Sequence, residues 1–336
     1  MARNARTSTD TVKITDVALA AGVAPMTVSR VINTPDRVAA ATAARVRIAI
    51  ERLGYVPNLI AGGLSSRRSR MIAAIVPTIA SPIFSTPIQA FTDTLGRAGY
   101  HVMLALSGYG RDDEEALVRA MLSRRPDGLL LTGAAHAPDV MRLLRNAGVP
   151  VVEIWDAAET PTDMLVGFDH TEVGAAVADF LLGRGHRDFA VLAASDIRAT
   201  HRRDGFVRRI EAAGGRLLAE RKLPSPALIS DARRAMREIA PLLPTGTALF
   251  SSSDLIAFGA VNEARVLGIA VPQSLAVCGF GDFDLSQGSD PAITTVSVDG
   301  AAMGRIAAEN LLARLTGGTA PRRVLVPFRI LERETT

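Results

Sequence analysis

The chain carries one cysteine, Cys278, in 336 residues, which excludes a disulfide within the chain and any CxxC-type metal site. Long apolar runs are missing too. "MIAAIVPTIA" is among the longest, and it is about half of what a membrane-spanning helix needs. The opening "MARNARTSTD" is polar and leads into no apolar stretch, so no secretory leader is expected and a reducing cytoplasm is the expected setting. Catalytic signatures are scarce. "GYG" and "GFGD" lack the GxGxxG spacing, and there is no P-loop, no GxSxG elbow and no HExxH. Asp282 and Asp284 in "GDFD" fit turn formers better than metal ligands. Neither an enzyme nor a cofactor is expected.

What is present is a globular composition, 48% hydrophobic and 21% charged, with a net charge of only +4. That charge is placed unevenly. Residues 1–70 hold eleven Lys/Arg against four acids, a local +7, which leaves −3 for the rest. A basic N-terminal module on a mildly acidic body points to a polyanion as the module's partner.

The periodicity of that module is helical. "ITDVALAAGV" turns Val17, Ala20, Ala21 and Val23 inward and breaks at Gly22. "PMTVSRVIN" begins with Pro25, favourable in a first turn, and places Val28, Val31 and Ile32 on one stripe. A third helix over about 42–53 buries Val46, Ala49, Ile50 and Leu53 and stops at Gly54. Three short helices with a glycine turn between the first two fit a helix-turn-helix. Met26 and Arg30 are four apart and share a face, an odd pair to turn toward a core.

"VPNLIAGGLSSRRSR" then reads as a linker. Beyond it, short runs such as "IAAIV", "DGLLL", "FAVLAA" and "LAVCGF" alternate with helical segments, which argues βαβ units in parallel sheets. About ten strands over some 265 residues fit two lobes better than one sheet. "VDGAAMGRIAAENLLARLTGG" reads as a late helix and "RRVLVPFRIL" as a final strand pair. A chain reaching both lobes that late must cross between them repeatedly, forming a hinged cleft.

These residues resemble a known family. "ITDVALAAGVAPMTVSRVIN" followed by "RVRIAIERLGYVPNLIAGGL" is similar to the DNA-binding head of the lactose/galactose-repressor (LacI/GalR) family. The body matches in order through "GVPVV", "GRGHRDFAVL", "SSSDLIAFGA", "GIAVPQSLAVCGF" and "DPAITTV", so the resemblance covers nearly everything after residue 12. "MLALSGYG", "DGLLLTGAAHAP", "VPVVEIWD" and "VGFDH" look most like the gluconate-operon repressors. The implied fold is a small all-α helix-turn-helix head plus a periplasmic-binding-protein-like α/β body of two doubly wound lobes. The expected division is an arm and head over 1–57, a hinge over 58–69, and a ligand-binding and dimerisation body over 70–336. Within the body, lobe 1 is expected at about 70–168 and 298–320, and lobe 2 at about 169–297 and 321–336.

The resemblance also implies roles. Pro25, Met26 and Arg30 fall at base-reading positions, where Arg30 can pair bidentately with guanine. Thr15, Thr27, Ser29, Asn33, Tyr55, Asn58 and Ala61 join the expected DNA contacts, and Leu64 matches the hinge leucine that wedges open a base step. With Gly62 and Gly63 in it, the hinge is expected to fold only on DNA. Two departures from the family pattern are Ala24 and Ala39, which stand where a hydroxyl would cap the following helix. In the body, Arg202 is expected to clamp a carboxylate, Asp254 to accept from sugar hydroxyls and Phe84 to wall the cleft, with His136, Asp169, Asp282 and Gln287 as further ligand positions. The implied partners are operator DNA, a small effector (a gluconate-like sugar acid) and a second copy of the chain, with no membrane. A homodimer released from a pseudo-palindrome by its ligand is the expected mechanism. An activator, a neutral-sugar ligand and a co-repressor ligand remain open alternatives; an enzyme or an exported sugar-binding protein is remote.

Overall fold

A computed structural model describes residues 12–56, 68–110 and 114–336. The chain divides into two units, Met1–Ser69 and Arg70–Thr336. In the first unit α1 (Ile14–Ala21), α2 (Pro25–Asn33) and α3 (Ala40–Leu53) enclose a core that includes Val17, Ala21, Val28, Val31, Val46 and Ala49. Ala18 takes the inward place expected of Ala20, which is exposed. Residues 17, 18 and 21 share one face of this short helix, and Ala20 falls off its edge. Gly22 ends α1 in the left-handed region at φ 64°, and the next amide, of Val23, bonds back to the Ala18 carbonyl at 3.0 Å. That turn sets α1 and α2 at 101°. Neither Ala24 nor Ala39 gives its helix a side-chain cap; Pro25 at the start of α2 removes one donor that would otherwise need a partner.

The second unit holds two six-stranded sheets among the described residues. One contains β1 (Met71–Val76), β2 (His101–Leu106), β3 (Gly128–Thr132), β4 (Val151–Ile154), β5 (Met164–Gly167) and β11 (Arg323–Leu325), in the order β2-β1-β3-β4-β5-β11. The other contains β6 (Asp188–Ala194), β7 (Arg216–Leu223), β8 (Thr247–Ser251), β9 (Leu275–Phe280), β10 (Thr294–Val298) and β12 (Phe328–Leu331), in the order β7-β6-β8-β9-β10-β12. The two lobes thus repeat one doubly wound topology, with β12 alone antiparallel to its neighbour. The near-continuous burial of β1, β3, β4, β8 and β9 is what helices on both faces of a parallel sheet require.

Helices α4 (Pro82–Arg97), α5 (Glu114–Ser123) and α6 (Pro138–Ala147) belong to the first lobe, with α12 (Gly300–Leu315) packed on α4. Helices α7 (His170–Gly183), α8 (Ile197–Ala212), α9 (Ile229–Ile239), α10 (Asp254–Val266) and α11 (Asp284–Gly288) belong to the second. The chain crosses between lobes three times: after β5, after β10, and between β11 and β12. "RRVLVPFRIL" is therefore not a paired hairpin. Its first strand joins β5 in one sheet and its second joins β10 in the other. The last crossing consequently falls after residue 325, later than the boundary at 320 expected from the sequence.

Two glycines decide how the cleft is built. A Cβ on Gly174 of α7 would collide with the Arg202 carbonyl of α8, and one on Gly205 of α8 with the Thr171 carbonyl of α7. Backbone against backbone, these helices bring the side chains of His170 and Arg202 together.

Candidate functional site

On the head, α2 keeps Val28 and Val31 inside and presents its other face to solvent. Met26 is 63% exposed, Pro25, Arg30 and Asn33 are exposed, and Thr27 and Ser29 are half-buried. The Arg30 guanidinium has no hydrogen bond or ion pair among the described residues. Asn33 donates to the Ser29 carbonyl at 3.0 Å and to its hydroxyl at 3.3 Å, so its amide folds back onto the helix. Thr15 lies exposed on α1, and Tyr55 packs half-buried against the head's core. Asn58, Ala61 and Leu64, with the rest of the expected hinge up to residue 67, lie outside the described residues.

In the body, side chains of both lobes meet around an inner cavity of about 90 Å³. Phe84, Tyr109 and Trp155 come from the first lobe; His170, Arg198 and Arg202 come from the second. Phe84 stands edge-on to Trp155 at 6.1 Å and to Tyr109 at 6.4 Å, and Trp155 edge-on to Phe168 at 5.3 Å. Trp155 follows β4 at φ 64°, a left-handed conformation that costs a bulky residue ~1–3 kcal/mol. Its indole Nε1 is buried without a partner among the described residues.

Arg202 is 5% exposed and largely committed. One terminal nitrogen donates to His170 Nδ1 at 2.8 Å, the other to the Ser252 carbonyl at 2.9 Å, and the guanidinium lies 4.0 Å from the centre of the Phe280 ring. Only Nε is left without a partner. Burial pulls its pKa down to about 10, opposed by Asp196 and helped by Arg198, so it stays charged at neutral pH. Because Arg202 donates to Nδ1, His170 carries its proton on Nε2, which donates to the Trp155 carbonyl at 3.3 Å. Burial and then the Arg202 charge hold His170 well below the usual imidazole range, so it is neutral.

Arg198 sits one helical turn before Arg202, on the same face. Its guanidinium lies over the Phe84 ring at 5.3 Å and makes no hydrogen bond or ion pair among the described residues. Burial lowers its pKa, with Asp196, Tyr109 and Asp156 pulling the other way. Tyr109, Asp196 and Arg198 also line a second, outer cavity of about 570 Å³. A third, of about 340 Å³, lies between Trp155 and the loop of Asp282 and Phe283.

Residues 13–58 match the family model "Bacterial regulatory proteins, lacI family", and residues 178–336 match "Periplasmic binding protein-like domain". The HTH-type transcriptional regulator GntR of Escherichia coli K12 is 33% identical over 314 residues, covering 92% of this chain and 94% of its own. The chain belongs to the LacI family of bacterial transcriptional regulators. The GntR regulator of Pseudomonas aeruginosa is 34% identical, covering 99% and 98%. The crystal structure of a LacI-family transcriptional regulator from Silicibacter pomeroyi superposes with a TM-score of 0.90 at 30% identity, covering 96% and 99%. A lac repressor dimer bound to operator and the anti-inducer ONPF superposes with a TM-score of 0.82 at 25% identity, covering 96% and 98%.

Within this LacI-family body, the positions expected from the sequence separate into two groups. Phe84 and Arg202 line the inner cavity. Asp254 does not: it is fully buried, accepting from Thr295 Oγ1 at 2.5 Å and the Phe283 amide at 2.8 Å. Its carboxylate pins the 281–284 loop, and burial raises its pKa to about 6. Asp169 caps α7, accepting from the Thr171 and Glu172 amides. Gln287 is exposed on α11 and lines none of these cavities. Asp282 borders the third cavity but is paired with Arg333 at 2.6 Å. His136 borders the outer cavity with Nδ1 on Glu114 at 2.6 Å and Nε2 3.5 Å from the fully buried Glu153. Arg198, Trp155, His170 and Tyr109 were missed. Arg198 had a usable signal, its i, i+4 spacing to Arg202; the others depend on how strand ends converge.

Proposed function

We propose that the protein is an operator-binding repressor that works as a homodimer and is released by a small acidic effector held between its lobes. What supports the DNA reading most is the solvent face of α2, where Met26 and an unpaired Arg30 stand on the second helix of a helix-turn-helix. In that motif the second helix enters the major groove, and an arginine fork there can take guanine O6 and N7. Thr27 and Ser29 suit phosphate contacts that fix register, while the folded-back amide of Asn33 leaves it less to offer. Two copies related by a two-fold axis would read a pseudo-palindrome.

For the effector, an acidic group suits the cleft because Arg198 is a desolvated cation over an aromatic ring with its fork unused. Arg202 would contribute its single free Nε, with the Trp155 indole N–H as a second donor. The role expected of Arg202 as the main clamp passes to Arg198, since His170 and Ser252 already occupy the fork of Arg202. An aldonate fits this donor set, in keeping with the resemblance of "VPVVEIWD" and "VGFDH" to the gluconate-operon repressors. Because the groups around the ligand come from both lobes, occupancy would favour one lobe arrangement over another, the differential affinity that a switch requires.

The test is fluorescence anisotropy of a labelled duplex from the gene's own upstream region, with and without gluconate and related aldonates. Binding that an aldonate releases is the expected result. Binding that no aldonate alters would retain the regulator and discard the acidic effector, and failure to bind any palindrome would remove the central claim.

A further inference from the structure

Asp254, the first residue of α10, is a carboxylate with no exposure to solvent, and the groups that hold it are neutral. Thr295 Oγ1 donates to it at 2.5 Å and the Phe283 amide at 2.8 Å, with the Ser286 hydroxyl as a further neutral neighbour. Arg333, in the segment after β12, is committed to Asp282 at 2.6 Å, the Ile293 carbonyl at 2.9 Å and Ser286 Oγ at 3.2 Å. Glu334 of the same segment accepts the Ala292 amide at 2.7 Å. Cys278 of β9 adjoins Asp254 as a thiol that burial keeps protonated. Asp282 and Asp284 belong to the loop and to α11, while β8 and β10 bring no titratable side chain. Arg202 of α8 is taken by His170 and the Ser252 carbonyl, and Arg233 and Arg237 of α9 are taken by Glu263 further along α10. Among the described residues, none of these cations bonds to Asp254.

The loop that Asp254 holds is not at rest in its own backbone. Gly281 stands at φ 126° and Asp282 at φ 53°, two successive residues in the left-handed region, the second of them with a side chain. Such a shape persists only where the surroundings impose it. Here the Asp254 carboxylate takes the Phe283 amide from inside, and Arg333 takes the Asp282 side chain from outside. The result places Phe283 in the wall of the inner cavity and, with Trp155 of the first lobe, in the wall of the third. Hydrogen bonds to an ionised acceptor are roughly twice as strong as neutral ones. A proton on Asp254 Oδ1 would turn the Thr295 bond around and leave the Phe283 amide only a neutral carbonyl oxygen. The proton is also easily taken, because a buried carboxylate without a bonded cation gains from losing its charge.

We propose that Asp254 is an acid-sensitive latch: ionised, it locks loop 281–284 at the seam between the lobes, and protonated, it lets Phe283 move away from Trp155. The latch works whatever the cleft binds, and with the cleft empty. Global stability does not fall with it. The folded-state pKa of about 6 lies above the ordinary 3.8, so this group's contribution to stability is full below 3.8 and is lost as pH rises through 6. Mild acid therefore loosens one loop while relieving the fold of a buried charge, the opposite of ordinary acid denaturation.

Acrylamide quenching of Trp155, the chain's one tryptophan, tests this in the full-length protein without effector, titrated from about pH 8 to about pH 5. Quenching is expected to rise as pH falls, with a midpoint near 6, while the urea midpoint over the same range does not fall. Asp254→Asn is expected to be as quenchable at the alkaline end as wild type is at the acid end, with no transition between. Thr295→Val keeps the acid but removes one bond to its ionised form, so its midpoint is expected about one pH unit higher. A flat wild-type profile overturns the proposal. So does a transition that persists in Asp254→Asn, which would belong to another group, or a midpoint that Thr295→Val leaves in place. A urea midpoint that falls together with the protection of Trp155 also overturns it, since the change would then be general unfolding. If Asp254→Asn does not fold, the direction of the Thr295→Val shift decides alone.

Discussion

Replacing His136 with glutamine removes the cation from a buried cluster of two glutamates, and the size of the effect follows from the geometry. The His136 side chain is 2% exposed and that of Glu153 is not exposed, so solvent does little to screen them. Glu153 is held in addition by the Thr162 hydroxyl and amide. Burial by itself would disfavour the imidazolium, but the Glu114 hydrogen bond and the nearby Glu153 carboxylate outweigh it and lift the pKa from the usual 6.5 to about 9. A raised folded-state pKa on a histidine means stability that is fully present below pH 6.5 and is lost as pH rises through 9. The shift corresponds to about 3 kcal/mol. His136→Gln should therefore unfold more readily than wild type by about 3 kcal/mol at pH 6, and the two proteins should converge near pH 10. Urea unfolding followed by tryptophan fluorescence reads this directly, because Trp155 is the chain's one tryptophan and lies in the body. Parallel stability curves between pH 6 and 10 would refute the reasoning, since the histidine would then contribute packing rather than charge.

Three further outcomes are expected. Arg30→Ala should lose ~1–3 kcal/mol of affinity for the operator while binding unrelated DNA nearly as wild type does, measured by anisotropy at fixed salt. Gly174→Ala should force α7 away from the Arg202 carbonyl, destabilising the body by ~1–3 kcal/mol in urea and weakening effector binding by calorimetry more than Gly183→Ala, which has open space around it. Ala24→Ser should supply the missing cap of α2 and slow amide exchange in the head of the intact protein by an amount equivalent to ~1 kcal/mol; unchanged exchange would mean the serine does not cap.

Much of this architecture could be read from residue spacing. The inward stripe of Val28 and Val31, the stop at Gly54 and the alternation of short apolar runs with helical segments each carry a local period, and local periods survive without knowledge of the fold. Sheet membership does not. β11 and β12 are three and four residues long, and which lobe each joins is decided by β5 and β10, far away in sequence. The site divides along the same line. Arg202 could be placed from its motif, but not the fact that His170 and Ser252 would occupy it. Asp254 was expected in the cleft from the resemblance carried by "SSSDLIAFGA"; the tight approach of its side chain over Gly279 and its bonds to Thr295 and Phe283 turn it inward. Trp155 gave no sign at all, since its place depends on a backbone conformation that sequence preference argues against.

The threefold crossing between lobes also governs how the protein can be made. The first lobe's sheet ends at β11, and Arg322, just before it, bonds to the Pro161 carbonyl 161 residues earlier. Helix α12, which covers α4, likewise comes from the far end of the chain. A ribosome that has synthesised every residue through β10 has therefore delivered a complete set of neighbours for neither lobe, and the apolar side of α4, with Phe91 and Leu95, is still waiting for its cover. Loop closure over such separations is slow compared with forming the helices of the head. The head can reach its native state early in translation, while the body stays a client for chaperones until the last few dozen residues emerge.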